Sequence, residues 1–186
     1  MTAQDYLDAR SKHRLTVDEF LLLDREGAFG DRRTELFDGE VYYMSPKHRP
    51  HARTVTQFVI ALAKALEGSK LSVLTDISVR LSDHDVPEPD IAVTDAPEGD
   101  GILPLDAVKL LIEVADSTLP QDMGLKAALY AGAGVPEYWV VDVNGRAIHQ
   151  MWAPRPEGYA ERREVTLGAQ VEAATVAGLA VETSDD

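Results

Sequence analysis

The feature that most constrains the fold is Val108–Ala115, a run typical of a buried strand, whose apolar stretch from residue 110 onward contains one charge, Glu113. Alternation with a period of two places Leu111, Glu113 and Ala115 on one face of that strand. An ionised carboxylate there is unfavourable unless a positive charge compensates it. Glu113 is therefore either half of a buried ion pair with a lysine or arginine, or a metal ligand or acid–base group.

The segments around this strand predict one α/β domain with a mixed sheet over residues 1–186, with a core of about 15–179. Thr16 and Glu19 form a capping-box pattern, and Asp38-Gly39 and Asn144-Gly145 are hairpin signals. Further strands are predicted at 33–37, 40–44, 72–75, 77–81, 90–94, 137–142, 147–152 and 159–165, and helices at 50–67 and 121–131. We expect residues 95–104 to be a flexible loop and residues 181–186 to be frayed.

Composition excludes several classes of protein. The chain has no cysteine, which excludes disulfides, cysteine-ligated zinc and thiol nucleophiles. Its first ten residues are polar and acidic and lack a signal-peptide hydrophobic region, and no apolar stretch is long enough for a membrane span. We therefore expect a cytoplasmic protein with no membrane partner.

Charge is distributed unevenly along the chain. The net charge of -14 argues against a general nucleic-acid coat, because non-specific binding to phosphates depends on lysine and arginine. Residues 41–66, however, contain no acid and include Lys47, Arg49, Arg53 and Lys64, whereas residues 76–106 contain nine acids and only one arginine. A basic segment next to an acidic one leaves room for an enzyme that contacts nucleic acid through a local patch.

Asp90 is the second candidate site residue. It follows Pro87-Glu88-Pro89 at the start of an apolar strand, where an ordinary strand-end or turn-forming aspartate is the simpler interpretation. Two carboxylates brought together from strand ends would instead make an oxygen-rich site suited to Mg²⁺ or Mn²⁺. Their mutual repulsion favours a divalent cation between them.

Lys126 is the third candidate, in a helix that also contains Asp122 and Tyr130. An acid–base pair four residues apart is common on helix surfaces. Leu125, Ala128 and Leu129 are expected to mark the packed side, which does not place Lys126 clearly outward. If Lys126 reaches Glu113, the resulting group could stabilise a phosphoryl transition state and orient an attacking water.

Two further residues are ambiguous from the sequence. Glu35 lies in the first predicted hairpin, and His51 begins the long helix, where a capping or surface histidine is expected. His48 and His51 are three residues apart, but without cysteine or an obvious third ligand a zinc site is disfavoured.

In combination, several motifs resemble the bacterial Uma-type family of restriction-endonuclease-like proteins, within the PD-(D/E)XK nuclease superfamily. The resemblance spans roughly residues 15–179. The motifs are Glu35-Leu-Phe-Asp-Gly-Glu40, Met44-Ser-Pro46, His51, Pro89-Asp90-Ile-Ala-Val93, Ile112-Glu-Val114, Asp116-Ser-Thr118, Asp122, Lys126, Tyr130 and Gly134-Val-Pro-Glu-Tyr-Trp-Val-Val-Asp142.

The resemblance implies a restriction-endonuclease-like core, a central mixed sheet flanked by helices, with added hairpins. It also implies a catalytic set of Asp90, Glu113, Lys126 and Glu35, of which Asp90 and Glu113 would be the metal ligands. The superfamily lysine normally follows the second acid by two residues, where this chain has Ala115. The family variant takes the lysine from the following helix. His51, Asp122 and Tyr130 match recurrent positions and are possible accessory residues.

These observations predict an Mg²⁺- or Mn²⁺-dependent endonuclease acting on nucleic acid, with DNA preferred and with Lys47, Arg49 and Arg53 contacting backbone phosphates. One alternative is a non-catalytic binding or regulatory domain that retains the fold, which the acidic charge favours. Another is a hydrolase of small phosphodiesters. A homodimer is compatible with the large residues Tyr138, Trp139 and Trp152, which could equally fill the core.

Overall fold

The computed structural model describes residues 12–184, so the prediction about a signal peptide, which concerns the first ten residues, falls outside the described part. The helices are α1 (Val17–Arg25), α2 (Arg49–Ala65) and α3 (Ala127–Ala133), and α3 is preceded by a helical turn, Leu119–Gln121, and a π-helical turn, Asp122–Lys126. The strands are β1 (Thr34–Phe37), β2 (Glu40–Tyr43), β3 (Ser72–Thr75), β4 (Val79–Arg80), β5 (Ile91–Thr94), β6 (Leu103–Pro104), β7 (Val108–Ala115), β8 (Glu137–Asp142), β9 (Ala147–Arg155), β10 (Gly158–Thr166), β11 (Gln170–Glu172) and β12 (Ala180–Glu182).

A six-stranded mixed sheet forms the centre of the molecule, in the order β10-β9-β8-β7-β5-β3. Its pairings are antiparallel except for β7 and β8, which run parallel and are connected by the helical segment that ends in α3. A parallel pair needs such a crossover, since a tight turn joins only antiparallel strands. This crossover returns the chain across one face of the sheet directly after β7.

Each face of the sheet is covered by different elements, as the predicted α/β architecture requires. On one face, Phe58 and Leu62 of α2 pack with Ile112 and Trp139, together with the β11–β12 hairpin. On the other face, Tyr130 of α3 packs with Leu111 and other apolar side chains. Because β7 is buried on both sides beyond Lys109, its other charged residue, Glu113, lies in the interior of the domain.

Local sequence signals account for several elements. The capping box predicted at Thr16 and Glu19 is present and begins α1. Asp38 and Gly39 both adopt positive φ, as a tight two-residue hairpin turn between β1 and β2 requires. The predicted strand Val108–Ala115 is confirmed with the same bounds, and all but Lys109 of its eight residues are buried.

Three local expectations differ from the structure. The strand predicted at 77–81 is limited to β4, which pairs with β6 and not with a strand of the central sheet. The segment 95–104 is a loop as expected except for its last two residues, which form β6. The C-terminal segment is not frayed over its described part, because Val181 is fully buried in the β11–β12 hairpin.

Two of the aromatic residues considered for a dimer interface fill the core. Tyr138 and Trp139 have no exposed surface, and Trp152 is half-buried. Tyr138 and Trp139 therefore offer no surface to a second copy. Within residues 12–184, no helix combines the length and apolar character needed to span a bilayer.

Candidate active site

A cavity of about 240 Å³ opens at the end of the sheet, where β5, β7 and the β1–β2 hairpin meet the start of the crossover helix, the helical segment of residues 119–133 between β7 and β8. Among the charged residues that line it within residues 12–184, acids outnumber lysines. Six carboxylates face two lysines there: Glu35, Glu88, Asp90, Glu113, Asp116 and Asp122 against Lys47 and Lys126. The cavity thus concentrates negative charge that its own lysines only partly compensate.

Strand register brings Asp90 and Glu113 together. In the antiparallel pairing of β5 with β7, Ile91 lies opposite Ile112, so Asp90, one residue before β5, falls beside Glu113. The backbone N–H of Val114 donates a 2.8 Å hydrogen bond to Asp90 Oδ2. Both carboxylates are buried, each with 4% of its surface exposed. Two acids separated by 23 positions in the chain therefore share one site.

The crossover helix supplies the positively charged side chain of the site, Lys126. Its π-helical turn, Asp122–Lys126, turns both of its end residues inward, with 3% and 6% of their surfaces exposed. The packed side expected from the sequence is wrong, because Leu125 is 56% exposed, Ala128 is exposed and Leu129 is only partly buried. A π turn inserts one residue into the helical repeat and so rotates the preceding residues relative to α3.

Lys126 lies between two glutamates. Its Nζ donates a 2.9 Å hydrogen bond to Glu113 Oε1 and lies 3.3 Å from Glu35 Oε1. The hydroxyl of Tyr130 also donates to Glu113 Oε1, at 2.9 Å, and the backbone N–H of Glu88 donates to Glu35 Oε1. Glu35, which the sequence left ambiguous, is thus a neighbour of the lysine and is itself buried.

Burial and the nearness of other carboxylates raise the pKa values of the acids around Lys126. Burial raises the pKa of Glu113 to about 8; Lys126 opposes the shift, and the carboxylates of Asp90 and Asp122 add to it. Burial also raises the pKa values of Glu35 and Asp122. Lys126 behaves differently, since the attraction of Glu113 and Glu35 outweighs its burial and raises its pKa. Lys126 is therefore charged, whereas ionisation of any one of these acids makes ionisation of the others less favourable.

Asp90 is held in the ionised form by other partners. Burial acts against its charge, but the hydrogen bond from His51 and the charge of Lys47 lower its pKa to about 2. His51 Nε2 donates to Asp90 Oδ2 at 3.0 Å, and Lys47 Nζ lies 2.7 Å from Oδ1. The expectation of a capping or surface histidine is wrong: His51 is only 8% exposed, and its buried Nδ1 has no hydrogen-bond partner among residues 12–184.

The three basic residues considered for phosphate contacts are distributed over two places. Lys47 lines the cavity and bridges Asp90 and Asp76. Arg49 and Arg53 lie exposed on the first turns of α2, outside the cavity lining found among the described residues.

Sequence reasoning missed two supporting contacts at the site. The hydroxyl of Thr118 donates a 2.5 Å hydrogen bond to Asp122 Oδ2, and the backbone of Glu88 holds Glu35. Thr118 follows β7 by three residues, a position from which a side chain can reach the cavity at the strand end. Glu88 stands between the two prolines that precede Asp90.

Comparisons with known proteins are consistent with this architecture. A crystal structure of "a putative nuclease belonging to DUF820" from Anabaena variabilis ATCC 29413 superimposes with a TM-score of 0.66 and 19% sequence identity, over 86% of this chain and 89% of that chain. At that identity the likeness establishes the fold alone. No curated protein matches the chain. The family model of Uma2, described as "Putative restriction endonuclease", matches residues 17–184, and the chain belongs to that family.

Proposed function

We propose that the chain is a metal-dependent endonuclease that hydrolyses phosphodiester bonds of nucleic acid, with DNA as its substrate. One observation is central to the proposal: buried Asp90 and Glu113 lie side by side in an acidic cavity, with Lys126 Nζ 2.9 Å from Glu113. Membership in a restriction-endonuclease family supports DNA as the substrate. The nuclease family also makes nucleic acid, rather than a small phosphodiester, the first substrate to test.

The donor set fits a divalent cation with few protein ligands. Both described hydrogen bonds to Glu113 end on Oε1, and in the described part of the chain Oδ1 of Asp90 has one partner, Lys47. Within residues 12–184, no group of three or more acids and histidines is arranged to hold a metal ion. Mg²⁺ is commonly bound through one or two carboxylates, with water and substrate phosphate completing its shell. Asp90 and Glu113 would be these two ligands.

The chain's own side chains would then have distinct roles. When bound, a divalent cation would supply Lewis-acid activation of water and of the phosphodiester. Lys126 would hold the attacking water in place and stabilise the charge that develops on the phosphate oxygens. Glu35 and Tyr130 would act as positioning residues: Glu35 restrains the lysine, and Tyr130 fixes the orientation of Glu113. His51 would keep Asp90 ionised and oriented.

The test is a calorimetric titration of Mg²⁺ and Mn²⁺ into wild type and Glu113→Gln, with plasmid nicking measured on the same samples. We expect the variant to lose measurable metal binding and to lose nicking by more than about a hundredfold, since even outer-shell partners of metals contribute 10- to 100-fold. Glu161→Gln, an exposed change on β10, is the control and should match wild type in both assays.

Each of the other outcomes supports a different function for this chain. Metal binding by wild type without cleavage of any nucleic acid would favour a hydrolase of small phosphodiesters. Absence of metal binding by wild type would contradict the proposal and favour a non-catalytic domain in which Glu113 and Lys126 are a buried ion pair.

A further inference from the structure

Tyr42 lies at the mouth of the acidic cavity, on the same face of the β1–β2 hairpin as Glu35. The two residues are direct cross-strand partners, and side chains opposite one another in an antiparallel pair share a face. Since Glu35 points to Lys126, the ring of Tyr42 also lies on the cavity side, and it lines that cavity. None of the roles proposed above for the acidic cluster uses this ring.

The ring of Tyr42 packs against Phe37 and remains partly exposed to solvent. Phe37, which is 7% exposed, packs against it with ring centroids 5.6 Å apart and planes tilted by 54°. The Tyr42 hydroxyl donates a 3.1 Å hydrogen bond to Glu40 Oε2. Tyr42 nevertheless keeps 48% of its surface exposed. An aromatic ring that is held in place and half exposed beside a cavity is suited to stacking against a flat ligand group such as a nucleic-acid base.

The charge of the site limits how the protein can bind a phosphate polymer. The lysines that line the cavity are already paired, Lys47 with Asp76 and Asp90 and Lys126 with Glu113 and Glu35. The chain carries a net charge of -14. Lysine and arginine contacts to phosphate supply most of the affinity for nucleic acid, and proteins that bind single strands add stacking of bases on aromatic rings, which contributes about 1–3 kcal/mol per base. With few unpaired positive charges among the described residues at the cavity, a stacking contribution matters more here.

We propose that Tyr42 is a base-stacking residue and that the substrate has unpaired nucleotides next to the bond that is cut. In an intact duplex, bases are stacked on one another and unavailable to a ring at the edge of the site, whereas in single strands and loops a base can stack on an aromatic side chain. This inference rests on the proposed function and specifies its substrate: single-stranded or locally unpaired nucleic acid.

The experiment measures binding of the full chain to a fluorescent single-stranded oligonucleotide and to the matching duplex, in EDTA so that binding is separated from cleavage. We expect wild type to prefer the single strand and Tyr42→Ala to bind it about tenfold more weakly, in line with the loss of one stacked base. Tyr42→Phe should retain the affinity, and Tyr42→Leu should not. Leu22→Ala, which removes an equally exposed apolar side chain outside the cavity, is the control.

Oligonucleotides with a single abasic position, scanned along the strand, decide whether the ring contacts a base. At one position, removal of the base should weaken wild-type binding about tenfold and leave Tyr42→Ala unchanged, an interaction that a purely structural role of Tyr42 would not produce. Equal losses in both proteins at every position, or equal affinity of wild type for single strand and duplex, would overturn the inference. Failure of the proposed function is a separate result, in which wild type with Mg²⁺ or Mn²⁺ cuts no nucleic acid.

Discussion

Two buried glutamates on neighbouring parallel strands, Glu113 of β7 and Glu137 of β8, have opposite surroundings. The carboxylate of Glu137 accepts hydrogen bonds from the Trp139 indole, the backbone N–H groups of Ala174 and Thr175, and the Thr175 hydroxyl. These four donors are neutral, and they attach the segment before β12 to the sheet. Glu113 instead lies in a cavity among other carboxylates, with a lysine and a tyrosine as its donors.

The difference shows what separates a structural carboxylate from a candidate reactive one. Neutral donors on both oxygens satisfy Glu137 within the protein, so no further ligand is needed there. Among residues 12–184, Glu113 has donors on one oxygen only and repulsive neighbours, and burial raises its pKa to about 8. Burial within a strand is common to both residues, and the local partners distinguish them.

The largest effect on stability is expected from removing the positive charge of Lys126 beside Glu113. Lys126→Met would leave Glu113, Glu35 and Asp122 without their shared positive charge, and removing one partner of a buried pair typically costs about 3–5 kcal/mol. We expect a stability loss of this order at pH 8, a smaller loss at pH 5, where the acids can take up protons, and loss of nicking. Denaturant unfolding at the two pH values measures it.

Lys126→Arg is the control for that substitution, since it keeps the charge and should recover most of the stability. Equal stability of Lys126→Met and wild type at pH 8 would contradict the interpretation that the lysine compensates the buried acids.

A smaller effect, of a different kind, is expected at Glu137. Glu137→Gln places an amide NH₂ against groups that are themselves donors, and an unsatisfied buried polar group costs about 1–3 kcal/mol. The melting temperature should fall and hydrogen exchange at Ala174 and Thr175 should accelerate, while nicking at temperatures below the transition should remain that of wild type. Glu172→Gln, an exposed change on β11, is the control. Loss of nicking in folded Glu137→Gln would remove the distinction between the two glutamates.

The most gradual effect is the change of stability with pH that the ionisation of Glu113 causes. Its pKa is raised in the folded chain, so its contribution to stability is fully present below its unfolded value near 4.5 and is lost as pH rises toward about 8. The slope for one group is at most about 1.4 kcal/mol per pH unit. Metal-free wild type should lose stability relative to Glu113→Gln over this window, in melting curves recorded with EDTA. A constant difference between the two proteins would show that Glu113 ionises normally.

The sequence alone was sufficient for the fold class and most elements, because those signals are local. The capping box at Thr16, the Asp38-Gly39 turn and the apolar run Val108–Ala115 each depend on neighbouring residues, and each formed as predicted. The period of two along β7 also assigned Glu113 correctly to the face with Leu111 and Ala115, which in the structure is the face covered by α3.

The surroundings of the candidate site were decided by tertiary structure. The register of β5 against β7 placed Asp90 beside Glu113, and a π-helical turn directed Lys126 inward on a helix whose apolar pattern indicated another packed side. His51 was expected at the surface but is buried against Asp90. The four donors that satisfy Glu137 come partly from residues almost 40 positions away. Such contacts join segments distant in the chain, and their energies depend on burial and on the sum of neighbouring charges, which no local pattern encodes.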